Sequence, residues 1–182
     1  MGALLIIIFA FLAIQGCVGA PPPASGPPIP LKEANLETVL EQNEGLEMVS
    51  EDVKDARDFY RLGVQQKARA EKLFQEKTYP EALKLYRSSN DSLSTILQYI
   101  NQDSAEYTLF EGTNILFFPN LLVADNELKM GLIMQSRGQE GSARRCWKRG
   151  LTSVQKSLQA ERTEWGLSIQ EKLNSLLPSK NK

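Results

Sequence analysis

The stretch 138-GQEGSARRCWKRGL-151 places five small residues around one tryptophan. Gly138 can stop a helix in the left-handed conformation, and the next helix is expected from Ser142 to Leu158. On that helix Ala143, Trp147 and Gly150 follow one another at intervals of four and three, so all three share a face. A bulky ring between two nearly bare backbone positions is a packing device: the ring fills a groove that the small residues leave open. The helix before it is expected to open at Pro119, with Leu121, Leu122, Ala124, Leu128, Gly131 and Met134 on its packing side.

An earlier segment carries the same arrangement. Val53, Ala56, Tyr60, Gly63, Val64, Lys67, Ala70 and Phe74 recur at helical spacing up to about Lys77. Thr78-Tyr79-Pro80-Glu81 then opens a second helix bearing Ala82, Leu85, Tyr86, Ser89, Leu93, Ile96, Leu97 and Ile100. Ala70, Ala82, Tyr86 and Ser89 stand at the same intervals as Gly131, Ala143, Trp147 and Gly150. This pattern resembles the tetratricopeptide repeat, in which small residues let paired helices approach and an aromatic fills the groove. The resemblance implies an all-α fold of antiparallel helix pairs, a short solenoid; a plain helical bundle uses the same small-to-large packing. The copies lie 61 positions apart, against about 34 for a regular repeat, so the segment from Asn101 to Phe118 interrupts the array as a divergent helix or an insertion. Beyond Leu158 the stripe runs on through Trp165, Ile169, Leu173 and Leu176, either as one long helix or as a capping helix, until Pro178.

Outward at the other end, every residue from Ala3 to Ile14 is apolar. That length suits an export signal and is shorter than the roughly 20 residues of a bilayer span. Ile14-Gln15-Gly16-Cys17 resembles the lipobox of bacterial lipoproteins, with Gln15 in place of the usual small residue. The resemblance implies cleavage before Cys17, lipidation of its thiol, and, with Val18 next, the periplasmic face of the outer membrane. Pro21, Pro22, Pro23, Pro27, Pro28 and Pro30 favour an extended polyproline-like tether, with a reach on the order of 40 Å at about 3.1 Å per residue. The expected organisation is a signal peptide over 1–16, a lipidated tether over 17–31, an acidic lead-in over 32–49, a helical domain over 50–177 and a tail over 178–182.

The chain has 182 residues, a net charge of −1 and no histidine. Without histidine the usual general base, metal ligand and Ser-His or Cys-His nucleophiles are all missing. No phosphate loop, metal-spaced cluster or nucleophile elbow is present, so no catalytic residue, metal or cofactor is assigned, and the near-zero charge gives nucleic acid no global attraction. The expected role is non-enzymatic: a lipid-anchored scaffold or adaptor for a protein partner of the cell envelope. The alternative is a ligand- or lipid-binding component of envelope transport, with the aromatic segment 107–118 as pocket lining. The candidate surface comprises Tyr107, Phe110, Phe117 and Phe118, together with the basic residues Arg144, Arg145, Lys148 and Arg149. Glu33, Glu37, Glu41, Glu44, Glu47, Glu51, Asp52 and Asp55 face only Lys32 and Lys54, giving an acidic block opposed in sign to that basic half. Cys146, beside Trp147, is expected as a buried hydrophobe.

Overall fold

The structure, a computed structural model, describes residues 54–99 and 114–177, and among these the chain is helical with no strand. Five α-helices follow in order: α1 Lys54–Gln75, α2 Tyr79–Tyr99, α3 Phe118–Ser136, α4 Glu140–Ala160 and α5 Glu164–Leu176, with a single 3-10 turn at Asn114–Leu116 leading into α3. The expected all-α class and its packed helix pairs are observed. No described helix is long and apolar enough to cross a membrane.

Two equivalent turns set the pairs. Lys77 (φ 61°) and Gly138 (φ 72°), 61 positions apart, both adopt the left-handed conformation. After α1 the Lys77 amide donates to the Phe74 carbonyl (3.1 Å) and that of Thr78 to Leu73 (2.9 Å); after α3 the amides of Gly138 and Gln139 reach Gln135 and Met134, each at 2.9 Å. This satisfies the last helical carbonyls and reverses the chain in three residues, so α1 and α2, and likewise α3 and α4, lie antiparallel. α4 begins at Glu140, two residues before the expected Ser142, because the helix resumes directly after the turn.

The equivalence continues into the packing. The Ser89 hydroxyl of α2 donates to the Gly63 carbonyl of α1 at 2.8 Å. Sixty-one positions on, Gly150 of α4 lies against the Ala124 carbonyl of α3, where an added Cβ would sit 3.2 Å from the oxygen. Gly131 is tighter still: a Cβ there would lie 2.0 Å from Nε1 of Trp147. Ala70, Ala82, Tyr86, Ser89, Ala143 and Trp147 are all buried, as the spacing predicts.

The stripe beyond Leu158 is two helices and not one. Glu161 is extended (φ −152°, ψ 133°), and α5 restarts with the Thr163 hydroxyl accepting from the Gly166 amide at 3.0 Å, an N-cap that ends α4 as a separate element. Each helix packs on the next in sequence, while α1 also touches α3 and α3 also touches α5. α3 therefore sits at the centre, buried around nearly its whole circumference. Phe117 and Phe118 enter this core in an edge-to-face pair, and Phe118 makes another with Trp165 of α5. The remainder of the interrupting segment, with Tyr107 and Phe110, lies outside the described residues, as do Cys17, the tether and the acidic lead-in.

Candidate functional site

α3 owes its central place to apolar residues on every side, yet it carries Asp125-Asn126-Glu127 in its middle turn, all buried. Carboxylates removed from water require charged or hydrogen-bonding partners, and the three residues find theirs on α1, α2 and α4.

Asp125 pairs with Lys67 of α1, whose ammonium also reaches Glu71 at 2.8 Å. Glu71 in turn meets Lys129 of α3 at 3.6 Å. Lys67 is only 1 % exposed. Burial alone would lower its pKa, but the two carboxylates outweigh that and hold it above the ordinary lysine value. The Lys67 and Lys129 ammonium groups also stand 5.7 Å and 5.3 Å from the ring centres of Tyr86 and Phe74. The result is a ladder of alternating charge that clasps α1 to α3.

On the opposite side of α3, Glu127 receives both Nε (2.9 Å) and a terminal nitrogen (2.8 Å) of Arg149 from α4. Asn90 of α2 donates to the same carboxylate at 3.3 Å. Asn126 donates to Ser89 (3.0 Å) and Asn90 (2.8 Å) of α2. The Arg149 pKa is raised by its hydrogen bond to Glu127, and that of the Cys146 thiol by burial and then by the Glu127 charge. Cys146 is thus held as a neutral thiol, 3.4 Å from the guanidinium.

Between α3 and α5 runs a groove of about 500 Å³. Its floor is apolar, formed by Leu128, Leu132, Trp165, Ile169 and Leu176. Its walls carry Asp125 and Lys129 from α3, and the exposed Glu164, Ser168, Lys172 and Ser175 from α5. α5 presents this wall because Trp165 and Ile169, one turn apart, turn inward while Glu164, Ser168 and Lys172 fall on the adjoining face. Such a groove can take apolar side chains in its floor and hold polar or charged groups along its edges. A smaller crevice of about 170 Å³ lies where Asn90, Glu127, Met130, Cys146 and Arg149 meet.

The sequence-predicted surface divides accordingly. Arg144, Arg145 and Lys148 are exposed on α4, but Arg149 spends its guanidinium on Glu127. Phe117 and Phe118, only 7 % and 4 % exposed, belong to the core and line no open surface, because the start of α3 is pressed between α4 and α5. Ser157 of α4 secures that start by donating to the Phe117 carbonyl at 2.9 Å. Sequence reasoning placed Lys67 on the packing face of α1 but missed its partners. The signal for them was the acid-amide-acid run inside an otherwise apolar helix. Among the described residues no group of acidic and cysteine side chains is arranged to hold a metal ion. No protein-family model, curated protein or solved structure matches this chain.

Proposed function

We propose that this chain is a lipid-anchored protein-interaction module of the bacterial cell envelope, a short tetratricopeptide-like stack that holds a segment of a partner protein in the groove between α3 and α5. The observation that carries this reading is the groove itself, with its apolar floor between two walls of mixed charge. An extended or helical peptide with apolar residues on one side and charges on the other matches it. The lipobox-like Ile14-Gln15-Gly16-Cys17 and the proline-rich tether support attachment through Cys17, holding the groove away from the bilayer. Since Phe117 and Phe118 are used in the core, the groove and not the aromatic segment is the favoured contact surface.

Two experiments test this. A photo-reactive amino acid at Ser168, exposed on the groove wall, is expected to capture a distinct envelope protein in intact cells, and Leu132→Asp in the same chain to abolish that adduct. An adduct unchanged by Leu132→Asp, or none above that formed from Gln155 on the far side of α4, overturns the groove. Metabolic palmitate labelling is expected in the native chain and absent in Cys17→Ser; equal labelling removes the anchor.

A further inference from the structure

Met130, Met134 and Cys146 carry all the sulfur of the described residues, and all three line the same crevice of about 170 Å³ between α2, α3 and α4. Each is buried. Met130 and Met134 stand one turn apart on α3, so their side chains share a face. Gly131 packs on Trp147, the residue after Cys146, and this antiparallel register sets Cys146 of α4 level with that turn. The crevice has a way in, because Arg87 and Asp91 of α2 and Arg149 of α4 also line it and are exposed. The buried carboxylate on its wall, Glu127, is already taken by two nitrogens of Arg149.

We propose that this crevice is a binding site for monovalent copper, with the Cys146 sulfur and the Met130 and Met134 thioethers as its ligands. Thiolate and thioether are soft donors, and together they select Cu(I) over the harder divalent metals. A structural zinc ion is closed by four cysteine, histidine or carboxylate ligands; here Cys146 is the one such group not spent elsewhere on the inner wall, and the chain has no histidine. Charge points the same way. Burial and then the Glu127 charge keep the free thiol protonated, so binding exchanges one cation for one proton: the S–H bond breaks, a Cu–S bond forms, and the proton leaves to water. A monovalent ion leaves the net charge of the crevice as it was, whereas a divalent one adds an uncompensated positive charge beside the Arg149 guanidinium. That guanidinium, 3.4 Å from the sulfur, can go on donating to it as a thiolate. Holding copper is a second role, separate from the groove between α3 and α5.

The test uses the full chain carrying Cys17→Ser, so that Cys146 is its one thiol, titrated with Cu(I) in the absence of oxygen against the chelator bathocuproine disulfonate. One copper ion retained per chain, one proton released per ion and a shell of sulfur alone in X-ray absorption are expected. The volume-conserving pair Met130→Leu, Met134→Leu should keep the parent's unfolding midpoint and weaken retention at least about tenfold, the loss usual even for groups outside the ligand shell. Adding Cys146→Ser should abolish it. No copper held against the chelator, oxygen or nitrogen in the shell, or retention unchanged by the two leucines overturns the proposal; the last outcome reduces the site to an isolated thiol.

Discussion

The indole of Trp147 lies over Gly131 so closely that no side chain fits beneath it. In the first helix pair the same places are taken by Tyr86 and Ala70, a smaller ring over a methyl group. Gly131→Ala should therefore destabilise the fold by about 3 kcal/mol, at the upper end for overpacking, as read by urea unfolding. The double variant Gly131→Ala, Trp147→Tyr recreates the first pair and should recover part of that loss. The two left-handed turns give an opposite expectation. Lys77 holds a conformation that a Cβ disfavours by roughly 1 kcal/mol, while Gly138 holds it freely. Lys77→Gly should raise the unfolding midpoint by the equivalent of about 1 kcal/mol, and Gly138→Lys should lower it; a Lys77→Gly variant less stable than the parent contradicts the assigned turn. This level was legible in the sequence because small and aromatic residues in a helix pair are selected by neighbours three, four or twelve positions away. The fate of Phe117 and Phe118 was not legible, since the groups that hold them, Ser157 of α4 at the Phe117 carbonyl and Trp165 of α5 against the Phe118 ring, come together only through tertiary packing.

Between helices, the clasp of α1 on α3 rests on charges withdrawn from water. Replacing Lys67 with methionine leaves the buried Asp125 without its cation and Glu71 with Lys129 alone, and should cost about 3–5 kcal/mol. The double variant Lys67→Met, Asp125→Leu removes both sides of the main pair and should regain most of that stability. The pH dependence has a definite sign. A lysine whose pKa is raised on folding contributes its full stabilisation below the unfolded value of 10.5 and loses it as the pH climbs through the folded value. Tyr60 acts in the same direction, because burial raises its phenol above the ordinary 10.0 and the unfolded chain ionises first. Denaturant unfolding between pH 8 and pH 11 should thus show stability falling only above about 10. The slope should shrink in Tyr60→Phe and shrink further when the Lys67–Asp125 pair is also replaced. The pairing itself was hidden from sequence reading: 58 positions separate Lys67 from Asp125, and only the stacking of one helix pair on the other makes them neighbours.

At the scale of the molecule, α4 turns Arg144, Arg145, Lys148 and Lys156 to solvent and carries no acidic side chain between Gly141 and Ala160. A field of one sign steers oppositely charged partners and weakens with salt, the Debye length being about 8 Å at physiological ionic strength. Association with an acidic partner should slow as salt is added. The triple reversal Arg144→Glu, Arg145→Glu, Lys148→Glu should flatten that dependence in stopped-flow or surface-binding measurements while moving stability by no more than about 0.5 kcal/mol per site, as expected for exposed residues. The stack of helices has a mechanical consequence as well. Each pair leans mainly on its neighbour, so a load applied through the N-terminal end meets the layers one after another instead of all at once. α1 and α2 would peel away first, and what resists is the Lys67–Asp125 clasp together with the hydrogen bonds of Asn126 and Glu127 to α2. The pair α3 and α4, with α5 and the groove beside it, would stay closed behind that joint, so the first two helices act as a yielding link that takes up strain before the groove deforms.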